Sequence, residues 1–341
     1  MAPRDPVADL RRIAFLLERA HESTYRVRAF RTAAAVLRGR GCDELTELAL
    51  SGELVALRGV GEVTARCVLQ SLNGDEPEYL RKLQAMEWSP LAAVGAAAAD
   101  VRDALRGDCH SHTDASDGGS PLAEMVETAR DLGHDYLVIT DHSPRLTVAN
   151  GLSADRLRRQ IEQVGELNAE LTGFTVLTGI EVDILEDGAL DQDAELLDRL
   201  DLVVASVHSK LRMPAAQMTQ RMLAAIANPL VDVLGHCTGR MVTGSRKRPE
   251  SQFDAAAVFA ACAEHGVAVE INSRPERLDP PRRLLRQAVQ AGCEFTIDTD
   301  AHAPGQLDWL DYGCTRAAQC GVPLHRIRNS WPVERLLAPR A

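Results

Sequence analysis

The feature that most constrains the fold is an alternation of short apolar runs and amphipathic helical stretches, which begins at Gly107. Apolar runs of this length are typical of buried strands, and the amphipathic stretches between them predict helices that cover the sheet. The seven runs are 107–112 (GDCHSH), 135–140 (DYLVIT), 174–182 (FTVLTGIEV), 201–207 (DLVVASV), 231–236 (VDVLGH), 266–272 (GVAVEIN) and 293–300 (CEFTIDTD). Strand–helix alternation predicts an α/β fold with a parallel sheet, and seven units favour a (β/α)7 barrel over a doubly wound sheet.

The residues before Gly107 have a different pattern, which predicts a separate all-helical domain. Apolar residues in ADLRRIAFLLERAH follow a helical stripe, and several short helices are expected up to residue 84. The alanine-rich stretch SPLAAVGAAAADVRDAL predicts a helical connector. We therefore expect a helical domain at 1–85, a helical linker at 86–106 and a barrel domain at 107–341.

Cysteine usage and hydropathy bear on the cellular compartment. The eight cysteines are scattered and form no CxxC pair, which is typical of reduced thiols in a cytoplasm. The start, MAPRDPVADLRR, lacks the apolar core of a secretory signal, and no apolar run reaches the ~18 residues of a membrane span. We expect a cytoplasmic protein without membrane contact.

Histidines and acids cluster where the predicted strands end. The first strand carries an HxH pair, whose side chains point to the same side because residues i and i+2 share one side of a strand. The carboxyl ends of all strands meet at one end of a barrel, where catalytic groups lie. The strand-end residues are His110, His112, Asp117, Asp141, His142, Glu181, His208, His236, Asp300 and His302, with Glu270 and Asn272 after the sixth strand.

This clustering predicts a metal site. One strand-end histidine alone is explained as well by an ordinary hydrogen-bonded residue. Six of the ten histidines at the same end of one barrel, with three carboxylates, indicate shared ligation. Imidazole and carboxylate without thiolate suit zinc, manganese or iron, and the number of ligands suits two or three ions.

These segments resemble the polymerase-and-histidinol-phosphatase (PHP) family, and most of all the PHP domain at the C-terminus of bacterial family-X DNA polymerases. The resemblance rests on DCHSHTDASDG, ITDHS, GIEVDIL, ASVHS, GHCTGR, EINSRPERLD and DTDAH, in this order. It implies a distorted seven-stranded barrel with a trinuclear metal site that catalyses phosphoester hydrolysis. The implied ligands are His110, His112, Asp117, His142, Glu181, His208, His236, Asp300 and His302.

Within this set, the resemblance makes Glu181 the bridging carboxylate, and Glu181, His208 and Asp300 are the expected catalytic ligands. Asp117 stands where some phosphatase members have a histidine.

Two arginines stand just beyond strand ends, where a guanidinium can clamp a phosphate with two hydrogen bonds. They are Arg240 in GHCTGR and Arg277 in RPERLD, and a surface salt bridge is the alternative for each. Asp141 directly precedes His142, and we expect it to orient that imidazole.

The segment LVALRGVGEVTARCVL has the form of a helix–hairpin–helix. Gly59 and Gly61 permit a tight turn whose N–H groups can face a DNA phosphate, although a simple turn between helices is the alternative. Residues 10–84 resemble the small DNA-end-binding domain of family-X polymerases, which contacts the backbone without reading bases. Arg28, Arg31 and Arg58 are the expected DNA contacts, and a solvated helix surface is the alternative for the arginine-rich stretch.

The chain departs from family-X polymerases in several places. Residues 85–106 are too few to hold the polymerase palm and fingers, so we expect no polymerisation. Cys67 stands near the position of the lysine that some relatives use for lyase chemistry, so lyase activity is not expected. Glu62 places a negative charge beside the expected phosphate contact.

These features support three hypotheses about function. The first is a metal-dependent phosphoesterase of DNA ends: a 3′–5′ exonuclease or 3′-phosphatase, with cleavage at abasic sites as a further activity. The second is a small-molecule phosphatase of the histidinol-phosphatase type, which the net charge of −11, all of it in residues 107–341, favours. The third is a non-catalytic DNA-binding or scaffold protein with structural metals.

Overall fold

The structure is a computed structural model that describes residues 4–86, 95–243 and 247–338. The chain divides into two compact units, Met1–Ala92 and Ala93–Ala341. Residues 87–94 of the expected helical linker lie outside the described residues, and the remainder of the linker contains a helix, Ala96–Ala104. In the part of the chain that the structure describes, no helix is both long enough and apolar enough to cross a membrane.

The first unit consists of short helices. They are α1 (Pro6–Arg19), α2 (Thr24–Leu37), α3 (Cys42–Leu50), α4 (Glu62–Leu72) and α5 (Glu78–Ala85), with a 3-10 turn at Glu53–Ala56. The α1 helix begins where the Asp5 side chain accepts hydrogen bonds from the N–H groups of Val7 and Ala8. Its apolar residues Leu10 and Ile13 are fully buried in the core of this unit, as a helical stripe requires.

The second unit contains the seven expected strands, all parallel and in sequential order. They are β1 (Gly107–Ser111), β2 (Tyr136–Ile139), β3 (Thr175–Asp183), β4 (Leu202–Ser206), β5 (Val233–Leu234), β6 (Ala268–Asn272) and β7 (Phe295–Asp298). Nearly every strand residue is buried, because helices cover the outside and side chains fill the inside. The predicted α/β barrel with a preceding helical domain is confirmed.

Helices of the second unit precede, separate or follow the strands. They are α6 (Ala96–Ala104), α7 (Leu122–Asp131), α8 (Ala154–Glu170), α9 (Ala194–Leu197), α10 (Ala215–Ile226), α11 (Ala255–His265), α12 (Arg282–Gln290), α13 (Leu310–Cys320) and α14 (Val333–Leu336). The α6 helix packs against α13. The core between strands and helices contains fully buried residues such as Ile180, Val269 and Phe259.

The barrel closes between β7 and β1 mainly through side chains. Asp298 on β7 accepts a hydrogen bond from the N–H of Cys109 at 2.9 Å, and Asp108 on β1 accepts one from the N–H of Thr299 at 3.2 Å. One backbone bond, from the His112 N–H to the Ala301 carbonyl at 2.8 Å, completes the seam at its carboxyl end. These two reciprocal side-chain hydrogen bonds set the separation of β1 and β7. Four of the expected ligands lie at the ends of these two strands.

Asn329 closes the other end of the same seam. It is fully buried, accepts a hydrogen bond from the Ile297 N–H at 3.0 Å, and donates to the carbonyls of Gly107 at 3.0 Å and Ile297 at 2.7 Å. Its amide therefore replaces the missing ladder bonds between β1 and β7.

We expect Asn329→Ala to lower the free energy of unfolding by about 2–4 kcal/mol, because it leaves buried backbone groups without partners. Urea denaturation followed by circular dichroism measures this change. The control is Asn228→Ala, which removes one partly buried bond to the Leu230 N–H and should cost under about 1 kcal/mol. Equal effects of the two substitutions would contradict a special role for Asn329 at the seam.

Candidate metal centre

The expected ligands come together at the carboxyl ends of the strands. His110 lies on β1 and His112 follows it, His142 follows β2, Glu181 lies on β3, and His208, His236, Asp300 and His302 follow β4, β5 and β7. Each of these residues lies near or just beyond the carboxyl end of its strand, which is the end of the barrel where catalytic groups gather. The pocket thus collects residues from six of the seven strands or the loops that follow them.

Glu181 occupies the centre of this pocket. Its Oε1 lies 3.2 Å from His208 Nε2 and 2.8 Å from His236 Nε2. Its Oε2 lies 3.3 Å from His110 Nε2, 3.6 Å from His112 Nε2 and 2.9 Å from His142 Nδ1. One fully buried carboxylate therefore faces five imidazoles, an arrangement that suits a group bridging more than one ion.

A second group of ligand atoms combines the partly exposed Asp117 and His302 with the buried His112, His142 and Asp300. Asp117 Oδ1 is 3.5 Å from His142 Nε2 and 3.4 Å from His302 Nε2. Asp300 Oδ1 is 3.4 Å from His112 Nε2. His112, Asp117, His142 and His302 each offer an atom within 4.8 Å of the others. Asp117 is the most exposed of the nine expected ligands, since its loop lies at the mouth of the pocket.

The polar atoms in the pocket fit a set of metal ligands. Among the described residues, several buried ring nitrogens and carboxylate oxygens have no hydrogen-bond partner, because the short distances to Glu181 lack hydrogen-bond geometry. These atoms are His110 Nε2, His112 Nδ1 and Nε2, His142 Nδ1, His208 Nδ1 and Nε2, His236 Nδ1 and Nε2, and both carboxylate oxygens of Glu181. An unsatisfied buried polar atom costs about 1–3 kcal/mol, whereas zinc, manganese and iron bind such nitrogens and oxygens.

Charge in the pocket favours bound cations as well. Burial alone would raise the pKa of Glu181, but His208, His110 and other imidazoles hold this pKa well below its ordinary value. Burial alone would lower the pKa of His208, but Glu181 and Asp183 raise it to about 9. The Glu181 carboxylate therefore stays ionised, and either protonated imidazoles or metal ions must balance it.

Two of the imidazoles contact carboxylates outside the expected ligand set, and a third contacts the backbone of an expected ligand. The Nδ1 atom of His110 is 2.6 Å from Glu270 Oε1, and that of His208 is 3.5 Å from Asp183 Oδ1. The Nδ1 atom of His302 lies 2.9 Å from the carbonyl of Asp300. The i, i+2 spacing of Glu181 and Asp183 on one strand was a signal that could have placed Asp183 in the pocket.

Asp141 does not orient His142 as expected. Its carboxylate accepts hydrogen bonds from the Thr113 N–H at 2.8 Å, the Thr113 hydroxyl at 2.6 Å and the Gln160 amide at 2.5 Å. It also accepts a short hydrogen bond from Ser116. Successive side chains in an extended segment point to opposite sides, so Asp141 anchors the loop that carries Asp117 instead.

The two predicted phosphate clamps differ in their surroundings. The Arg277 Nε lies 3.0 Å from Asp300 Oδ2, which places this guanidinium beside the ligands. Arg240 donates hydrogen bonds to the carbonyls of Arg277 and Leu278, so it supports the loop that carries Arg277. Arg274, absent from the expected set, lies with its Nη1 3.0 Å from His302 Nδ1 and 3.1 Å from the Asp300 carbonyl.

In the first unit, the GxG turn precedes α4. Gly59 has φ of +103°, and a Cβ atom there would lie 2.7 Å from Thr32 Cγ2, so the turn requires glycine. The Gly61 N–H donates to the Thr64 hydroxyl at 2.9 Å, so this N–H already has an acceptor within the chain. The first N–H groups of α4, like those at the start of any helix, have no carbonyl partner within the helix.

The predicted DNA-contacting arginines divide into two kinds. Arg28 and Arg58 are exposed. Arg31 is buried and forms two hydrogen bonds with Glu18, at 2.8 and 2.6 Å. That pair binds α1 to α2 inside the unit, and it occupies the guanidinium edge that a phosphate would need.

Comparison with known proteins identifies both parts of the chain. Residues 108–274 match the model of the PHP domain, and residues 1–76 match that of a helix-hairpin-helix domain. The chain is 38% identical over 226 residues to the DNA polymerase/3′-5′ exonuclease PolX of Bacillus subtilis, which covers 66% of this chain. It spans only 39% of the length of that relative.

Two further similar proteins are shorter than this chain. A probable phosphatase of Caldanaerobacter subterraneus subsp. tengcongensis is 28% identical over 65% of this chain and 86% of its own length. A solved histidinol phosphate phosphatase of Lactococcus lactis, complexed with zinc, L-histidinol and phosphate, aligns with 64% of this chain and 94% of its own at 19% identity and a TM-score of 0.46. Residues 108–274 therefore belong to the PHP domain family, and a helix-hairpin-helix domain precedes them in the chain.

Proposed function

We propose that the chain hydrolyses phosphate esters at DNA ends, as a 3′–5′ exonuclease or 3′-phosphatase, with cleavage at abasic sites as a further activity. The observation that carries this proposal is the presence in one chain of the histidine-lined pocket around Glu181 and a helix-hairpin-helix domain. The Bacillus subtilis relative, whose name includes a 3′-5′ exonuclease, supports it.

The nine expected ligands would hold two or three ions of zinc, manganese or iron. Such ions lower the pKa of water, orient it for attack on phosphorus and neutralise charge on the phosphoryl oxygens. Glu181 contributes a fixed negative charge between the imidazoles, and burial of its carboxylate keeps competing water away from it. His208, beside Glu181, and Asp300, beside His112, belong to the same set of expected ligands.

The guanidinium of Arg277 is the chain's own group for binding a phosphate oxygen. Its Nε pairs with Asp300, which leaves its terminal nitrogens as donors to an incoming oxyanion. Arg240 fixes the Arg277 backbone carbonyl at 3.0 Å and so sets the position of this guanidinium. In this proposal Arg277 contacts the substrate, and Arg240 holds Arg277 in position.

The helix-hairpin-helix domain would bind the DNA backbone. The α4 N-terminus presents free N–H groups and a partial positive charge, which suits a phosphate. Exposed Arg58, directly before Gly59, adds a cation at the same turn. Contacts of this kind carry no base information, so we expect binding that depends on salt and little on sequence.

The alternative is a small-molecule phosphatase. Two observations favour it. One relative, aligned over 86% of its own length, is named a probable phosphatase, and residues 107–341 carry the net negative charge of the chain. A panel of a 3′-recessed duplex, a 3′-phosphorylated oligonucleotide and histidinol phosphate, each assayed with manganese, separates the two. Release of nucleotides or 3′-phosphate supports action on DNA ends, and turnover of histidinol phosphate alone supports the alternative.

We expect Glu181→Gln to lower kcat on any phosphoester substrate by about 10²–10³-fold, because the negative charge at the centre of the expected ligands is lost. The matched control is Glu162→Gln on the exposed side of α8, which should retain full activity. Removal of metal with a chelator should abolish wild-type activity, and added manganese should restore it. Full turnover in Glu181→Gln would contradict the metal-dependent reaction.

We expect Arg28→Ala and Arg58→Ala together to weaken DNA binding and to reduce the slope of log K against log salt by about 2, since each removes one phosphate contact. Fluorescence anisotropy of a labelled duplex over a salt series measures both quantities. Arg81→Ala, an exposed arginine on α5, is the control. Unchanged slopes in the double variant would exclude these arginines from the DNA contact.

A further inference from the structure

Glu270 is a fully buried acid on β6 that lies directly behind the metal centre. Its Oε1 is 2.6 Å from Nδ1 of His110, and its Oε2 accepts a hydrogen bond from the backbone N–H of His236. The two oxygens of one carboxylate therefore hold two different expected ligands, one through its ring and the other through its backbone.

The contact with His110 decides which ring nitrogen faces the pocket. A carboxylate oxygen accepts hydrogen bonds, so the 2.6 Å contact with Glu270 Oε1 favours a proton on Nδ1 of His110. When metal ions instead of a protonated ring balance the charge of Glu181, His110 keeps its proton on Nδ1 and presents a lone pair at Nε2. This nitrogen lies 3.3 Å from Glu181 Oε2 and has no hydrogen-bond partner among the described residues. This tautomer is the one that can bind a metal ion at the centre.

Glu270 is also connected to the other side of the pocket. The Asn272 side-chain amide lies 3.3 Å from Glu270 Oε2 and 3.2 Å from Asp300 Oδ2. Both carboxylates accept from the same NH2 group, which keeps them at a fixed separation. A shift of Glu270 would therefore reach three expected ligands, His110, His236 and Asp300.

We propose that Glu270 is a positioning residue that fixes the tautomer of His110 and the place of His236, and thereby sets the affinity of the centre for divalent metal. This inference rests on the metal centre of the proposed function but not on DNA as its substrate. Glutamine at this position has one acceptor oxygen and one donor NH2 group. It can satisfy His110 or the His236 N–H but not both.

Asp183 provides an internal comparison. Asp183 faces the ring Nδ1 of His208, as Glu270 faces that of His110, but at 3.5 Å, and its Oδ1 accepts from the backbone N–H of the same histidine at 3.1 Å. The longer ring contact restrains the imidazole less. Loss of the Asp183 charge should therefore weaken metal binding less than loss of the Glu270 charge.

The experiment measures the zinc dissociation constant of the full chain by competition with a chromophoric chelator. We expect Glu270→Gln to weaken zinc binding about 10–100-fold, as loss of a carboxylate behind a metal-bound histidine does, and Asp183→Asn to weaken it less. The control is Asp279→Asn. This acid is equally buried but bonds the Thr238 N–H and hydroxyl, so zinc affinity should not change.

A nitrogen-15 NMR spectrum of the histidine rings provides the second measurement. The metal-loaded wild type should show His110 as the Nδ1–H form, and this signal should be lost or mixed in Glu270→Gln. Zinc affinity equal to wild type in Glu270→Gln, or an equal loss in Asp279→Asn, would overturn the inference. If Glu270→Gln does not fold, Glu270→Asp tests the same contact by lengthening it, and unchanged zinc affinity there overturns the inference as well.

The zinc-binding measurement can be interpreted whether or not the chain cleaves DNA ends. A wild-type chain that binds zinc but leaves DNA ends intact would contradict the proposed substrate, while the comparison of Glu270→Gln with wild type would still decide the role of Glu270. A wild-type chain that binds no zinc would contradict both.

Discussion

The arrangement of the second unit depends on one constraint, the burial of the Glu181 carboxylate among five imidazoles. An isolated buried carboxylate would be protonated or expelled to solvent. Here the pKa of Glu181 is held well below its ordinary value in spite of burial, so the negative charge remains. Positive charge must gather around it, and histidines from several strands provide the ligands through which metal ions can supply that charge.

The barrel makes this gathering possible because it brings the carboxyl ends of distant segments to one place. The strands β7 and β1 do not form a continuous backbone ladder, and the Asp298–Cys109 and Asp108–Thr299 bonds close the seam between them. Ligands lie at both edges of that seam, so the same side chains that close the barrel set the width of the pocket. Fold stability and site geometry are thus coupled through Asp108, Asp298 and Asn329.

Sequence patterns were sufficient for the seven strands and for the convergence of the nine expected ligands, because strand–helix alternation and position at a strand end are properties of local sequence. They were insufficient for contacts that depend on the direction of a side chain or on which residue it pairs with. Asp141 was expected to orient His142, but it anchors the loop of residues 113–116, and the pairing of Arg31 with Glu18 depends on how α1 and α2 pack. The contact of Glu270 with His110 joins residues 160 positions apart, which no local pattern reveals.

The most direct test of this account is X-ray diffraction from crystals grown with manganese or zinc, with data recorded at the absorption edge of the metal. A metal centre around Glu181 predicts two or three anomalous peaks in the pocket, each about 2.0–2.3 Å from nitrogens or oxygens of the surrounding residues. A pocket without such peaks at saturating metal, with Glu181 neutralised by protonated imidazoles instead, would contradict it.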